Sequence, residues 1–266
     1  MPTPKVLRHL NIPGIVQYQH VSTIQESLVK QFLSWKAAPD SIPQPPPTII
    51  TTQFHPVYTC GRREVGKVSE EQKQYITAPV KIPGSHNPIT ADFIEALRGG
   101  QTTFHGPGQL IAYPILDLRS HSLSSRSYVC LLEKSLIATC ARYGIRAMTT
   151  EHTGVWTTPE KKIAAIGVHL RRHVSSHGIG LNVNTGLGWF DRIVACGLEG
   201  KKTTSFESEG VRGKSVEEVA SVFVEEMAKG LGIDMSCIER TEDSVWCLLV
   251  TRNEAKLDNV NCSNWK

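Results

Sequence analysis

The sequence predicts a folded α+β protein, and three observations lead to that class. Hydrophobic residues make up 40% and charged residues 20% of the 266 residues, which is typical of a chain with a sizeable core. Strand and helix patterns interleave without the regular βαβ period of a doubly wound sheet. No apolar run approaches the roughly 20 residues that a bilayer requires, so the composition argues against a membrane-spanning class.

Three helices are predicted from apolar residues at helical spacing and from their capping residues. The first begins near Thr23, which a glutamate follows at the spacing of a capping box. The second covers 127–143 and ends before Gly144. The third runs from Ser215, which also has a glutamate three residues later, to about Gly230.

Four strands are predicted between these helices from runs of β-branched and apolar residues. They cover residues 48–54, 110–116, 163–170 and 179–183. A proline-rich stretch at 39–47 precedes the first of them and is typical of an extended loop rather than a domain linker.

Charge and cysteine content exclude several classes of function. The net charge of +4 is too small to argue for a nucleic-acid partner. The seven cysteines form no C-x-x-C pair, which favours a reducing compartment and gives no support to a zinc ribbon. The N-terminus is basic as far as Glu26, as in a mitochondrial leader, but Pro2, Pro4 and Pro13 interrupt an amphipathic helix there, so both interpretations stay open.

The densest candidate site is the segment 98–109, R-G-G-Q-T-T-F-H-G-P-G-Q, which holds four glycines and a proline just before a strand. Such glycines allow a ligand to approach the main chain closely. The segment lacks the Gly-Lys-Ser/Thr of a phosphate-binding loop and the context of a dinucleotide fingerprint. It predicts a binding loop, and a plain glycine-rich hairpin is the alternative.

Three further segments carry candidate chemistry. Lys162 leads a strand that Gly167 closes, and burial there would disfavour its ammonium, as in a lysine that acts as a base. A surface Lys-Lys turn is the alternative. A histidine–glycine segment spans 177–184, and Cys196 directly precedes a glycine, where the alternatives are a nucleophile and a small core residue.

Taken together, these segments resemble the lipoyl(octanoyl) transferase family. The resemblance covers about residues 7–230, and its markers are R-G-G-x-x-T-F-H-G-P-G-Q at 98–109, K-I-A-x-x-G at 162–167, H-G-x-x-L-N-V-N at 177–184 and the C-G pair at Cys196. It implies a single α+β domain related to the biotin and lipoate protein ligases. We therefore expect a catalytic domain over 1–240 and a partly flexible C-terminal extension over 241–266.

The resemblance also implies roles for individual residues. Cys196 matches the family's nucleophile and Lys162 its base, although Ala195 stands where many members have proline. The residues that match substrate-binding positions are Arg98, Gly99, Gly100, Gln101, Thr102, Thr103, Phe104, His105, Ala165, Ile166, Gly167, Gly178, Ile179 and Gly180.

The implied activity is the first step of protein lipoylation. An octanoyl group would pass from octanoyl-acyl carrier protein, through a cysteine thioester, to a lysine of lipoyl domains in 2-oxoacid dehydrogenases (pyruvate and 2-oxoglutarate dehydrogenase E2) and of the glycine cleavage H protein. No cofactor, metal, nucleic acid or membrane is implied. We expect a mitochondrial protein, or a cytoplasmic one if the source is bacterial. A rim of basic residues would steer acidic partners if its members cluster: Lys161, Arg171, Arg172, His173, Lys201 and Lys202.

Three rival functions remain open from the sequence. An ATP-dependent lipoate ligase of the same fold would need no nucleophile, so Cys196 beside a matched Lys162 argues against it. A thioesterase would need a histidine base, whereas His105 and His177 sit in glycine motifs typical of pocket walls. A non-catalytic binding module would have no reason to keep both the cysteine and the lysine.

Overall fold

The computed structural model describes residues 6–80, 88–193 and 200–242. Over these residues the main architectural feature is a mixed sheet with strand order β10-β8-β9-β6-β2-β1-β11, with β7 paired to β8. The strands of this sheet are β1 (Leu7–Val16), β2 (Thr48–Phe54), β6 (Gln109–Ile115), β7 (Val155–Thr158), β8 (Lys161–Arg171), β9 (Val174–Asn182), β10 (Lys202–Thr203) and β11 (Ile238–Glu242).

Helices cover both faces of this sheet. Neighbouring residues of a strand point to opposite faces, and the pair Ile49 and Ile50 on β2 shows which helices lie where. Ile49 belongs to the core formed with α3 (Ser125–Arg142) and α4 (Val216–Gly230). Ile50 belongs to the core formed with α1 (Tyr18–Ala37). The sheet is therefore buried between one helix on one side and two on the other.

A second sheet, with order β4-β3-β5, carries the glycine-rich segment. Its strands are β3 (Val57–Cys60), β4 (Asp92–Glu95) and β5 (Thr103–His105), and α2 (Glu70–Thr77) precedes β4. An aromatic core packs against it, in which Phe104 stacks on Trp189 at 5.0 Å between ring centroids. Because residues 96–102 connect β4 to β5, this sheet holds the first part of the predicted binding loop, whose last residue, Gln109, begins β6 of the large sheet.

Most predicted elements are confirmed. The strand at 48–54 has the predicted ends, and the second and third helices differ from prediction by two residues or fewer at each end. The predicted start of the first helix near Thr23 is wrong, because α1 begins at Tyr18. The Thr23 hydroxyl donates to the Gln19 carbonyl one turn earlier, at 3.0 Å, so it lies inside the helix and caps nothing.

The end of the described chain bears on the predicted domain boundary at residue 240. Strand β11 crosses that position and pairs in parallel with β1, from Leu7 opposite Ile238 to Asn11 opposite Glu242. Residues 243–266 lie outside the described residues, so the extension stays a prediction. No helix within the described ranges has the length and apolar character needed to cross a membrane.

Candidate active site

All but two of the predicted substrate-binding residues line one narrow cleft. The cleft lies on the α1 side of the large sheet, because Gly180 pairs with Ile111, whose side chain packs in the α1 core. Its floor is the β8–β9 ladder, and the 98–101 loop and β5 form its walls. The residues that line it are Arg98, Gly99, Gly100, Gln101, Thr103, His105, Tyr113, Ala165, Ile166, Gly167, Gly178, Ile179 and Gly180.

Glycines on the floor allow the loop to lie directly on the sheet. A Cβ on Gly167 would come within 3.0 Å of the Gly99 carbonyl oxygen and 3.1 Å of Arg98 Cδ. The Gly99 amide in turn donates to the Val168 carbonyl at 3.0 Å. A larger residue at 167 would therefore push the loop away from the floor, which explains the glycine in this motif.

Arg98 anchors the loop from below. Its guanidinium donates from Nε to Thr59 Oγ1 at 3.0 Å and from Nη1 to the Gly99 carbonyl at 3.0 Å. The side chain is only 7% exposed. A buried, hydrogen-bonded guanidinium keeps its charge, and it thus places a fixed positive charge beside the cleft.

His105 is neutral and held in one orientation. Burial, followed by the charge of Arg98, lowers its pKa to about 3. Its Nδ1 lies 2.7 Å from Gln109 Oε1, and the Gln109 amide donates to Asn182 Oδ1 at 2.8 Å. Since an amide oxygen only accepts, Nδ1 carries the proton of the neutral ring. The Asn182 amide continues the network to the Thr204 carbonyl at 2.9 Å.

Buried histidines make stability depend on pH. Burial is the main cause that lowers the pKa of His9 to about 4 and those of His105 and His177 to about 3. Below pH 6.5 the unfolded chain therefore binds protons that the folded chain does not, so stability falls as pH falls from about 6.5 towards 3. We expect each histidine to cost about 1.4 kcal/mol per pH unit in that window, measured by urea unfolding at several pH values.

The substitution His177→Asn tests this pH dependence. Asparagine tolerates the left-handed backbone of this position, where φ is 54°, and it does not titrate. The slope of unfolding free energy against pH should fall by about 1.4 kcal/mol per pH unit, the contribution of one such histidine. The exposed His20→Asn serves as the control and should leave the slope nearly unchanged. An unchanged slope in His177→Asn would contradict the assignment of a neutral, buried ring.

Lys162 is the second residue of β8, the strand that continues into the cleft floor. The residue is buried, and its Nζ lies 4.6 Å from the centroid of the Trp156 ring. Gly154, with φ at 124°, lies against the strand that carries the lysine, because a Cβ there would come 2.7 Å from the Ala164 carbonyl oxygen and 3.4 Å from Lys162 Cε. Within the described part of the chain no carboxylate pairs with this ammonium, whereas the adjacent Lys161 lies 4.0 Å from Glu209.

Two predicted substrate-binding residues do not line the cleft. Thr102 donates through its hydroxyl to Glu64 Oε2 at 2.6 Å and so braces the loop from outside. The Phe104 ring packs in the aromatic core of the small sheet. Cys196 and the neighbouring Ala195 lie outside the described residues. Their roles, like those of the cleft residues, stay predictions.

The basic residues do not form one rim, which corrects that expectation. Lys161 and Lys202 pair at the first end of β8, whereas residues 171–173 form the turn into β9 at its other end. A strand rises about 3.3 Å per residue, so the two groups lie about 30 Å apart. Only the Lys161–Lys202 group lies beside Lys162.

Sequence reasoning missed several residues of the site. Tyr113 lines the cleft. The alternation of a strand shows only which face of the sheet such a residue lies on, and not that a cleft lies there. Gln109 and Asn182 stand inside quoted motifs, but their contact joins positions 73 residues apart. Trp156 precedes Lys162 by six residues, and only the β7–β8 pairing brings its ring to the ammonium.

The fold defines the class of this protein. It superposes on a bipartite lipoate protein ligase of Thermoplasma acidophilum with a TM-score of 0.57 and 14% identity, over 90% of this chain and 87% of that one. Residues 17–228 match the family model of the lipoyl protein ligase A/B catalytic domain, and the chain belongs to that family.

Two curated relatives are much more similar in sequence. A probable octanoyltransferase of Schizosaccharomyces pombe is 51% identical over 209 residues, which cover 77% of this chain and 88% of the relative. The mitochondrial octanoyl-[acyl-carrier-protein]:protein N-octanoyltransferase of Danio rerio is 40% identical over 196 residues, covering 74% and 80%.

Proposed function

We propose that the chain is an octanoyltransferase that moves an octanoyl group from octanoyl-acyl carrier protein to a lysine of lipoyl domains. The observation that carries the proposal is one continuous strand, β8, which bears the buried Lys162 and then the glycine-floored cleft at 165–167. A reactive group at one end of a narrow cleft suits transfer of a linear acyl chain. The names of the 51% and 40% identical relatives support the same activity.

The first half-reaction is a thioester exchange. An ordinary thiol has a pKa of about 8.5 and is only a few per cent ionised at neutral pH. Lys162 takes the Cys196 proton, and the thiolate attacks the carbonyl of the octanoyl thioester. The bond from the carbonyl to the carrier's sulfur breaks, and the carrier thiolate takes the proton back from Lys162. One thioester replaces another, so the step needs no ATP.

The second half-reaction forms an amide. The amine of the target lysine attacks the octanoyl-cysteine thioester, Lys162 accepts the amine's proton, and Cys196 leaves as a thiolate that is then protonated. An amide is more stable than a thioester, which drives the transfer forward. The acyl chain lies on the floor formed by Gly167, Gly178 and Gly180, where the absence of side chains leaves room.

The partners are an acidic carrier protein and acidic lipoyl domains, of 2-oxoacid dehydrogenases and of the glycine cleavage H protein. The Lys161–Lys202 group beside Lys162 supplies the basic surface that each would meet in turn. The site of action is the mitochondrion, in keeping with the name of the Danio rerio relative.

Intact-mass measurement tests the proposed function. After incubation with octanoyl-acyl carrier protein the chain should gain one octanoyl group, which hydroxylamine removes. Cys196→Ser should accumulate no such thioester. The acylated chain should then pass its octanoyl group to a lipoyl domain without ATP.

Two results would contradict the proposal. Acylation of the lipoyl domain only when free octanoic acid and ATP are both supplied would identify an ATP-dependent ligase, the activity named for the similar Thermoplasma acidophilum fold. Release of free octanoic acid with no acylated domain would identify a thioesterase.

A further inference from the structure

A second and larger cavity continues the line of the acyl cleft along the same two strands. Along β8, Lys162 comes first, the cleft follows at 165–167, and His169 lines the larger cavity. On β9 the partner of Gly167 is Gly178, in the cleft, and the partner of His169 is Ser176, in the larger cavity. Along the two strands, Lys162 therefore comes first, the acyl cleft second and the larger cavity third.

The second cavity is a groove of about 750 Å³ between α1 and residues 94–97. Four apolar side chains line it, Val29 and Leu33 from α1 and Ile94 and Leu97 from the opposite wall, among polar and charged ones that include Glu26, Lys30, Glu95 and Arg171. Leu97 is 63% exposed. The groove could therefore receive an apolar chain that arrived from the cleft.

Two aromatic rings separate the cleft from the groove. Tyr113 lines the cleft and His177 lines the groove. Their rings meet edge to face, with centroids 5.4 Å apart and planes at 72°. The His177 amide donates to Gln25 Oε1 on α1 at 2.6 Å, which fixes the backbone. Its ring atom Nδ1 is buried and has no hydrogen-bond partner among the described residues.

We propose that the Tyr113–His177 ring pair is the end wall of the acyl cleft and sets the longest acyl chain that the enzyme transfers. This inference rests on the proposed function. With its carbonyl carbon near Lys162, the chain extends along 165–167 and its methyl end points at the wall. Carbon–carbon bonds of about 1.5 Å give an extended octanoyl chain a length of about 9 Å, comparable with three strand residues of about 3.3 Å each.

Removing one ring should open the cleft into the groove. His177→Gly deletes the ring and suits the backbone, because glycine adopts a φ of 54° without strain. We would measure kcat/KM for carrier proteins charged with octanoyl, decanoyl, dodecanoyl and tetradecanoyl chains. The ratio of dodecanoyl to octanoyl kcat/KM should rise at least about tenfold over that of the unaltered chain, since even one extra methylene in a closed hydrophobic pocket is discriminated by about 10- to 200-fold. Tyr113→Phe, which keeps the ring, should leave the ratio unchanged.

A second substitution tests whether the groove receives the longer chain. Leu33→Trp would fill the groove from its α1 wall, away from the cleft. Alone it should not change octanoyl transfer, and combined with His177→Gly it should cancel the gain for the two longest chains. If His177→Gly does not fold, as judged by circular dichroism, Tyr113→Leu removes the other ring and the same ratio decides.

The outcomes separate this inference from the function on which it rests. If the unaltered chain transfers no octanoyl group, the proposed function fails. If the unaltered chain transfers octanoyl, and His177→Gly or Tyr113→Leu does so with an unchanged ratio of dodecanoyl to octanoyl kcat/KM, the proposed end wall is overturned. The proposed function then stands. If His177→Gly raises this ratio and the added Leu33→Trp does not cancel the rise, the groove is not the space that receives the longer chain. The end wall itself would then still stand.

Discussion

Replacing Lys162 by alanine is expected to lower the rate of octanoyl transfer by about 10²- to 10⁴-fold, the usual contribution of a positioned acid–base group. The lysine is buried, over the Trp156 ring, and no carboxylate of the described chain pairs with it. The rate would be measured with octanoyl-acyl carrier protein and a lipoyl domain under single-turnover conditions.

Lys161→Ala is the matched control for this prediction. Lys161 is the adjacent residue, with a side chain 50% exposed and Glu209 at 4.0 Å. Lys161→Ala removes one lysine at the surface and leaves the buried amine of Lys162 in place, so the transfer rate should stay close to that of the unaltered chain. At low ionic strength it should raise KM slightly, because a charge beside the site steers acidic partners. Equal losses in the two variants would show that charge, and not proton transfer, explains the effect of Lys162.

Gly178→Ala is expected to have the largest effect on stability among single changes in the cleft. A Cβ at this position would lie 2.2 Å from the Ala112 carbonyl oxygen and 2.7 Å from Pro114 Cδ. Both atoms belong to β6, the neighbouring strand, and backbone in the middle of a sheet cannot move aside cheaply. Overpacking typically costs 1–3 kcal/mol, and we expect about 3 kcal/mol or more of the unfolding free energy, measured by urea unfolding.

Gly180→Ala provides the comparison two residues further along the same strand. Its Cβ would come 3.2 Å from Gln109 Oε1, which belongs to a side chain that can shift. We expect a change within about 1 kcal/mol, since alanine also lowers the entropy of the unfolded chain relative to glycine. Similar losses in both variants would contradict the view that contact with the β6 backbone demands glycine at 178.

The class of fold was predictable because it depends on local patterns. The β-branched run at 48–54 and the serine cap of α4 at Ser215 both act within a few residues, and the structure bears out both. The start of α1 was not predictable in this way. Thr23 and Glu26 have capping-box spacing, but the helix begins one turn earlier, at Tyr18, whose buried ring packs against Phe54. Tertiary packing there outweighs a local cap.

The candidate site was also predictable only in part. The resemblance to the octanoyltransferase family implied that Lys162, the 98–105 segment and the paired glycines share one site, and the structure brings most of the segment and the glycines to one cleft. The contacts that hold them depend on strand register, which spacing does not encode. Arg98 on Thr59 and Gln109 on Asn182 are examples, because each joins positions far apart in the chain.

By itself, the sequence predicted which residues would carry the chemistry and showed where the motif glycines stand, because both are written in short segments. Only the tertiary structure decided what those residues face. It placed the Trp156 ring over Lys162, divided the basic residues between two ends of β8, and set Tyr113 against His177 between two cavities. The physical reason is that such contacts come from the pairing of distant strands, and a change of register by one residue would turn each side chain to the other face of the sheet.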